Sequence, residues 1–307
     1  MSKHVPVLLP EVLRYLNPES GETILDATIG AAGYAQAIAT LIGEWGRLIG
    51  IDADASAITA AEEKLRVEEA EICLQIANFR TIEHVLKNCE VKELDGAVFD
   101  LGFRSEQLEM KRGFSFQEDA PLLMTFLHPD DVSEADVTAY DVVNDWERDS
   151  LESVLSGYGD ERYAARIADG IITAREKEPI ETTGELVRVI KKSVPLHYRN
   201  GRRHPATRTF QALRIAVNDE MNALAEGLQA AFEALTENGR LVVVSFHSLE
   251  DRMTKDFFTE LTEAGRADQL TDKPITAGPE ELNFNPRSRS AKLRAVKKLS
   301  ENDRLAV

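Results

Sequence analysis

Asp26, Asp52 and Asp100 each close a short apolar run, and a turn carrying Gly30 and Gly33 lies between the first two. Glycines let a backbone approach a ligand closely, a helix N-terminus favours negative charge, and a carboxylate after a strand can accept hydrogen bonds from ribose hydroxyls. Asp52 lies 22 residues beyond Gly30, the reach of a first strand-helix-strand unit in a nucleotide-binding sheet. The spacing is G-x-x-G rather than G-x-G-x-x-G, so a dinucleotide is not demanded, and a tight turn alone is the lesser, structural reading of the glycines. A fourth polar group, His247-Ser-Leu-Glu-Asp-Arg252, follows the β-branched run Leu241–Phe246. Phe79, just beyond another apolar run, has the character of a ring that packs on a purine or closes a core.

The elements that must position these residues follow from periodicity. Ile24–Leu25, Leu48–Ile51, Ile72–Ala77, Gly96–Phe99 and Leu241–Phe246 read as buried strands. Segments with apolar residues at helical spacing lie between them: Pro10–Leu16, Ala37–Ile42, Ala55–Leu65 and Thr81–Lys87. This is an α/β, mostly parallel sheet, and in such sheets ligands collect outside the carboxyl ends of the strands, where the three aspartates stand. The alternation stops near Gln107. Helical segments follow at Val137–Asn144, Leu151–Leu155, Tyr163–Arg175 and Leu186–Lys192, with Thr182 and Thr183 as a cap before the last. From Thr209 a long amphipathic helix through Phe210, Leu213, Val217, Met221, Leu224 and Leu228 runs to Gly239 and returns the chain to the sheet. The expected organisation is a sheet domain, 1–107 and 209–307, interrupted by a helical domain, 108–208. A last edge strand is expected near Leu293–Val296.

No apolar run is long enough for a membrane helix and no signal-peptide pattern opens the 307 residues, so a cytoplasmic protein is expected. Cys73 and Cys89 lack metal-ligand spacing or a disulfide framework and read as free thiols, and no metal is called for. The net charge of −17 argues against a polyanionic partner, but its distribution does not. Arg188–Arg208 holds seven basic residues and no acid, and Arg287–Lys298 holds six and no acid. Such runs fit either solvated faces or a basic surface on an acidic body.

Several stretches together resemble one family: HPATRTFQALRIAVN (His204–Asn218), SFHSLEDR (Ser245–Arg252), NPRSRSAKLR (Asn285–Arg294), DLG (Asp100–Gly102), QL then RGFSF (Gln107–Phe116) and HVPVLLPEVL (His4–Leu13). They are similar, in order and over nearly the whole chain, to the ribosomal RNA small subunit methyltransferase H, or MraW, family. The resemblance implies a class I S-adenosylmethionine-dependent methyltransferase, Rossmann-like, with a helical domain inserted after the fourth strand. It also implies methylation at N4 of a cytosine in the decoding region of small-subunit ribosomal RNA. Carried over residue by residue, the cofactor positions are Ala32, Gly33, Tyr34, Asp52, Phe79, Asp100 and Gln107, with Asp52 on the ribose and Phe79 beside the adenine. Asp26 is placed for the methionine ammonium, and Gly30 remains in the turn.

The chain departs from the family's usual D-x-T-x-G-R-G-G-H turn by carrying Ala31, Ala32 and Tyr34 where Arg, Gly and His stand, and Ala32 suits the turn only with a negative φ. Phe103-Arg104-Ser105 replaces V-S-S, and Leu122-Leu-Met-Thr-Phe126 replaces L-D-M-R-M. Asp100 is the candidate proton acceptor and equally a cofactor contact. His247, Ser248 and Asp251 are expected to orient the base, with a structural role for His247 weighing the same. Arg202, Arg203, Arg208, Arg287 and Arg289 are assigned to RNA phosphates, the partner being small-subunit rRNA or the assembled subunit; a homodimer is open. The rival readings are a non-catalytic RNA-binding relative and a nicotinamide-dependent oxidoreductase on the same fold.

Overall fold

The computed structural model describes residues 5–102, 112–127, 133 and 136–300. Among them seven strands form one sheet: β1 Thr23–Asp26, β2 Arg47–Asp52, β3 Glu71–Ile76, β4 Leu94–Asp100, β5 Leu235–Ser245, β6 Ala267–Gln269 and β7 Lys292–Lys298. The order is β3-β2-β1-β4-β5-β7-β6; β1 to β5 run parallel, and β7 is antiparallel to both its neighbours. This is the class I methyltransferase sheet. Its inner strands are continuous apolar runs because helices cover both faces: Ile24, Leu25, Ala97, Val98, Phe99, Val242 and Val244 are all fully buried. Strand order reverses between β1 and β4, and the crevice at that reversal is where a ligand is received.

Four helices accompany the first half of the sheet: α1 Leu9–Leu16, α2 Gly33–Ile42, α3 Ala55–Leu65 and α4 Ile82–Asn88. α2 places Ala35, Ile38, Ala39 and Ile42 in the core, and α3 does the same with Ala57, Ile58, Ala61 and Leu65. Asp54 caps α3 by accepting from the Ser56 N–H and Ser56 Oγ–H. Cys73 on β3 and Cys89 at the end of α4 are joined in a disulfide, Cα atoms 6.1 Å apart, so the expectation of free thiols is corrected. The helix following an edge strand folds back across it, which brings the two positions together although their separation of 16 carries no signal in the sequence.

The chain divides into two compact units, 1–102 with 222–307, and 103–221. The second unit therefore takes in the helix Thr207–Val217, expected in the sheet domain. Its core gathers Leu122, Met124, Val142, Leu151, Leu155, Ile167, Ile171, Leu186, Ile190, Phe210 and Leu213. Two of its helices begin with capping boxes, Thr138 with Asp141 and Thr182 with Glu185, each pair answering backbone N–H groups that the helix leaves open. The expected single helix after Thr209 is two, Thr207–Val217 and Glu220–Ala234, broken where Asp219 takes φ 47°. Asn218 explains the break: its side chain accepts from the Phe126 N–H and donates to the carbonyls of Met124 and Arg214.

Two further expectations change. β5 starts at Leu235, before Gly239, and carries an irregularity between its pairings to Leu94 and Gly96. β7 is an interior strand, the edge being β6. No helix among the described residues is long and apolar enough to cross a membrane.

Candidate active site

β1 delivers Asp26 to the crevice with its side chain fully buried. Oδ1 accepts the Thr28 N–H at 3.1 Å, while Oδ2 is inaccessible and has no well-formed hydrogen bond among the described residues. Burial, reinforced by the charge of Asp52, pushes its carboxyl up to about 7 against the lowering hydrogen bond from Thr28. β4 delivers Asp100, whose Oδ1 is likewise buried and unpartnered among the described residues; its backbone N–H donates to Thr28 Oγ1 at 2.6 Å. Desolvation first, then the charges of Asp26 and Glu250, hold the Asp100 carboxyl well above its ordinary range. Two carboxylates of raised pKa, each with an acceptor oxygen that no described residue satisfies, make a site complementary to a cationic ligand.

Asp52 closes β2 and braces the turn. Oδ2 accepts the Gly30 N–H at 3.0 Å and Oδ1 the Asp54 N–H at 2.9 Å. The turn runs through Gly30 at φ 49° and Ala32 at φ 54°. Ala32 thus adopts the left-handed conformation that the missing glycine of the family pattern would take without strain, and not the negative φ it was expected to need. Ala32, at the N-cap of α2, has no side chain to cap it, and in the first turn the Ala35 N–H is directed at Asp26. Lys64 Nζ donates to the Ala31 carbonyl at 3.0 Å and fixes the same turn from α3.

Gly33 is required by the N-terminal segment: a Cβ there would sit 2.3 Å from Pro6 Cγ. Tyr34 is buried, and its hydroxyl donates to the Val7 carbonyl. The Leu8 N–H donates to Glu281 Oε1 at 2.9 Å, and Asn285 Nδ2 donates to the Val5 carbonyl at 3.2 Å. Residues 5–8 are therefore a strap tied to the cofactor turn at one side and to residues 281–285 at the other. Phe79 is half-buried, edge-on to Phe99 at 5.7 Å, and its ring leaves no room for a side chain at Gly227.

The polar cluster after β5 is organised by Glu250, which the sequence reading passed over. Glu250 is buried, and its Oε2 accepts the N–H groups of Phe246 and His247 at 2.8 and 3.1 Å. His247 is the N-cap of the helix Ser248–Glu263, accepting the Glu250 N–H on Nδ1. Its Nε2 lies 2.9 Å from Glu250 Oε1 but out of line for a hydrogen bond. Ser248 is exposed on the first turn. Both oxygens of Asp251 are taken, Oδ2 by Lys292 and Oδ1 by Arg294, each at 2.7 Å. Burial raises the Asp251 carboxyl, but these two cations outweigh it and hold the group below its ordinary value. The contact pins the helix to β7.

Residues 1–299 match the family model described as the MraW methylase family. The chain belongs to the MraW methylase family. A ribosomal RNA small subunit methyltransferase H of Geobacter sp. (strain M21) is 45% identical over 312 residues, covering 96% of this chain and 98% of that one. Those of Brevibacillus brevis and Sulfurihydrogenibium sp. are 41% and 40% identical, covering 96% and 97% of this chain and 98% and 100% of theirs.

The methyl donor of this MraW methylase is S-adenosylmethionine, and the crevice fits it: the buried oxygens of Asp26 and Asp100 answer its cationic centres, and the N-terminus of α2 answers its carboxylate. Gln107, expected at the cofactor, and the Phe103-Arg104-Ser105 departure lie outside the described residues. The assigned arginines divide between the units. In the helical unit Arg202 and Arg203 are exposed, and Arg208 donates to the Asp160 carbonyl. In the sheet unit Arg287 and Arg289 are exposed on the turn Pro286–Ser290. The other four bases of that run act inside the fold: Lys292 and Arg294 on Asp251, Lys297 near Asp268, and Lys298 on the carbonyls of Phe232, Glu233 and Leu235.

Proposed function

We propose that this methylase transfers a methyl group to the exocyclic N4 amine of a cytosine in the decoding region of small-subunit ribosomal RNA, acting in the cytoplasm on the RNA or the assembled subunit. The relatives' names support the RNA class. The pair of buried oxygens on Asp26 and Asp100, without a well-formed hydrogen bond among the described residues, is the observation that carries the chemistry.

When bound, S-adenosylmethionine would supply an electrophilic methyl group, its S–CH3 bond breaking to leave the neutral thioether. The residues of the chain then divide the remaining work. Asp26 would hold the ammonium end, Asp52 the ribose hydroxyls, and Phe79 would pack beside the adenine. The N4 lone pair is delocalised into the pyrimidine ring, so the amine must be held in line and relieved of a proton as the new N–C bond forms. Alignment contributes on the order of 7 kcal/mol in ideal cases. Asp100 accepts a hydrogen bond from the amine and then its proton; its raised pKa suits it to that task once a neighbouring cation has ionised it. His247 and Ser248 orient the base from the first turn of their helix, and Asp251 acts at one remove by fixing that helix on β7. Arg202, Arg203, Arg208, Arg287 and Arg289 take phosphates.

Methyl transfer to purified small ribosomal subunits, followed by nucleoside analysis, tests the reading. Wild type is expected to yield N4-methylcytidine, and Asp100→Asn to lose about 100-fold or more in rate. Cofactor and RNA bound without transfer by the wild type would favour the non-catalytic alternative, and calorimetric binding of NAD in place of S-adenosylmethionine would favour the oxidoreductase.

A further inference from the structure

On the helical unit, residues 162–166 and 196–199, far apart in sequence, form one aromatic and cationic surface. The rings of Tyr163 and Tyr198 meet edge to face, centroids 4.9 Å apart. The Arg162 guanidinium lies over both, 4.9 Å from the Tyr198 centroid and 5.5 Å from that of Tyr163, and Arg166 lies 5.8 Å from the Tyr163 centroid. His197 Nε2 is 3.2 Å from the Tyr163 hydroxyl. Leu196, at the start of the same four-residue helix, is 68% exposed.

The charge balance of this surface is one-sided. Arg162 and Arg166 are exposed and form no ion pair with any described residue, their contacts being to the rings. Of the two acids just before Arg162, Asp160 is exposed, whereas Glu161 is buried and engaged, accepting from the Tyr198 hydroxyl at 2.7 Å and from the Tyr163 N–H at 2.9 Å. Asp169, the next acid along, is held by Arg148. Residues 188–208 add cations and no acid, on a chain whose net charge is −17. A cationic cluster of arginines interleaved with π-faces is complementary to a polyanion that also carries flat rings.

We propose that this surface is a landing site for single-stranded RNA, with Arg162 and Arg166 on phosphates and an unpaired base stacked beside Tyr163 and His197. It rests on the rRNA reading above and adds to it Arg162, Arg166 and the Tyr163–Tyr198 pair, beside the arginines already assigned. A guanidinium held over an aromatic ring can offer its outer face to a base, and splayed bases in RNA loops stack on such planes. An acidic protein would be met by the charges but would leave the stacking face unused.

The test is the full-length double variant Arg162→Glu/Arg166→Glu, titrated with small-subunit rRNA transcript over a series of salt concentrations, beside wild type. Affinity is expected to fall at least tenfold and the logarithmic salt slope to drop by about 1.4, the value for two single-strand phosphate contacts. Affinity for S-adenosylmethionine should stay unchanged. Should charge reversal disturb folding, Arg162→Gln/Arg166→Gln gives the same readout with polarity kept. Wild-type binding of RNA that the variants leave unaltered in affinity and slope overturns this surface while the rRNA reading stands. A wild type that binds no rRNA sinks both. Weakened association with assembled subunits but not with naked rRNA overturns the RNA assignment in favour of a protein contact.

Discussion

The raised carboxyl of Asp26 makes cofactor affinity depend on pH in a calculable way. In the free protein the group titrates at about 7, because burial, reinforced by the charge of Asp52, outweighs the lowering effect of the Thr28 and Ala35 backbone N–H groups. A cationic ligand favours the ionised form, so binding below that pH must first expel a proton. The ionised fraction rises from about 3% at about pH 5.5 to about 76% at about pH 7.5 for a group titrating at about 7. Affinity for S-adenosylmethionine should therefore rise about 25-fold over that range, about 1.9 kcal/mol, and level off above it. Asp100, raised in the same direction, can only steepen the rise. Calorimetry in buffers of different ionisation enthalpy would count the proton released, and Asp26→Asn should weaken binding and flatten the profile. A wild-type affinity that is level from about pH 5.5 to about 7.5, with no proton release, would refute the reasoning. For the ligand-free fold the sign is opposite. The folded state holds a proton between about 4 and about 7 that the unfolded chain gives up, so this carboxyl's contribution to stability falls as pH rises through that window.

Tyr34→Phe removes the hydroxyl that satisfies the Val7 carbonyl, and should cost about 1–3 kcal/mol while raising hydrogen exchange in residues 5–8 and the KM for the cofactor; unchanged exchange there would dismiss the strap. Thr182→Ala should lose about 1 kcal/mol from its capping box, measured by denaturant unfolding, with cofactor affinity unaltered. Mass analysis after iodoacetamide should show Cys73 and Cys89 unmodified until a reductant is added; two modified thiols without reductant would remove the disulfide.

Much of the sheet was legible because inner parallel strands must be apolar on both faces, which leaves Ile24–Leu25, Leu48–Ile51 and Gly96–Phe99 as uninterrupted runs, each followed by the acid that ends it. The insertion showed itself where the alternation stopped. The helix break at Asn218–Asp219 stayed hidden because the three- and four-residue apolar spacing continues across it, while its cause is a set of hydrogen bonds to residues 124–126, distant in sequence. Partner choice was similarly invisible. Asp251 reads as a free acid beside a strand end until β7 brings Lys292 and Arg294 to it, and Tyr34 reads as a ring at a helix start until the strap supplies Val7. The basic run at 287–298 was legible as charge but not as use, since four of its six side chains act within the fold. Glu250 had one available signal, the spacing His247-x-x-Glu250 at a strand-to-helix junction, which is a capping box.

The central claim is that this crevice places an activated methyl group against the amine of one cytosine in small-subunit rRNA. Mass spectrometry of that RNA, from cells with and without the protein, tests it most directly. The account predicts that one fragment of the decoding region loses a methyl group in the deficient cells, that nucleoside digestion assigns it to N4 of cytidine, and that wild type but not Asp100→Asn restores it. Identical methylation in both strains, or a lost methyl group on carbon 5 of the ring or on another base, would contradict it.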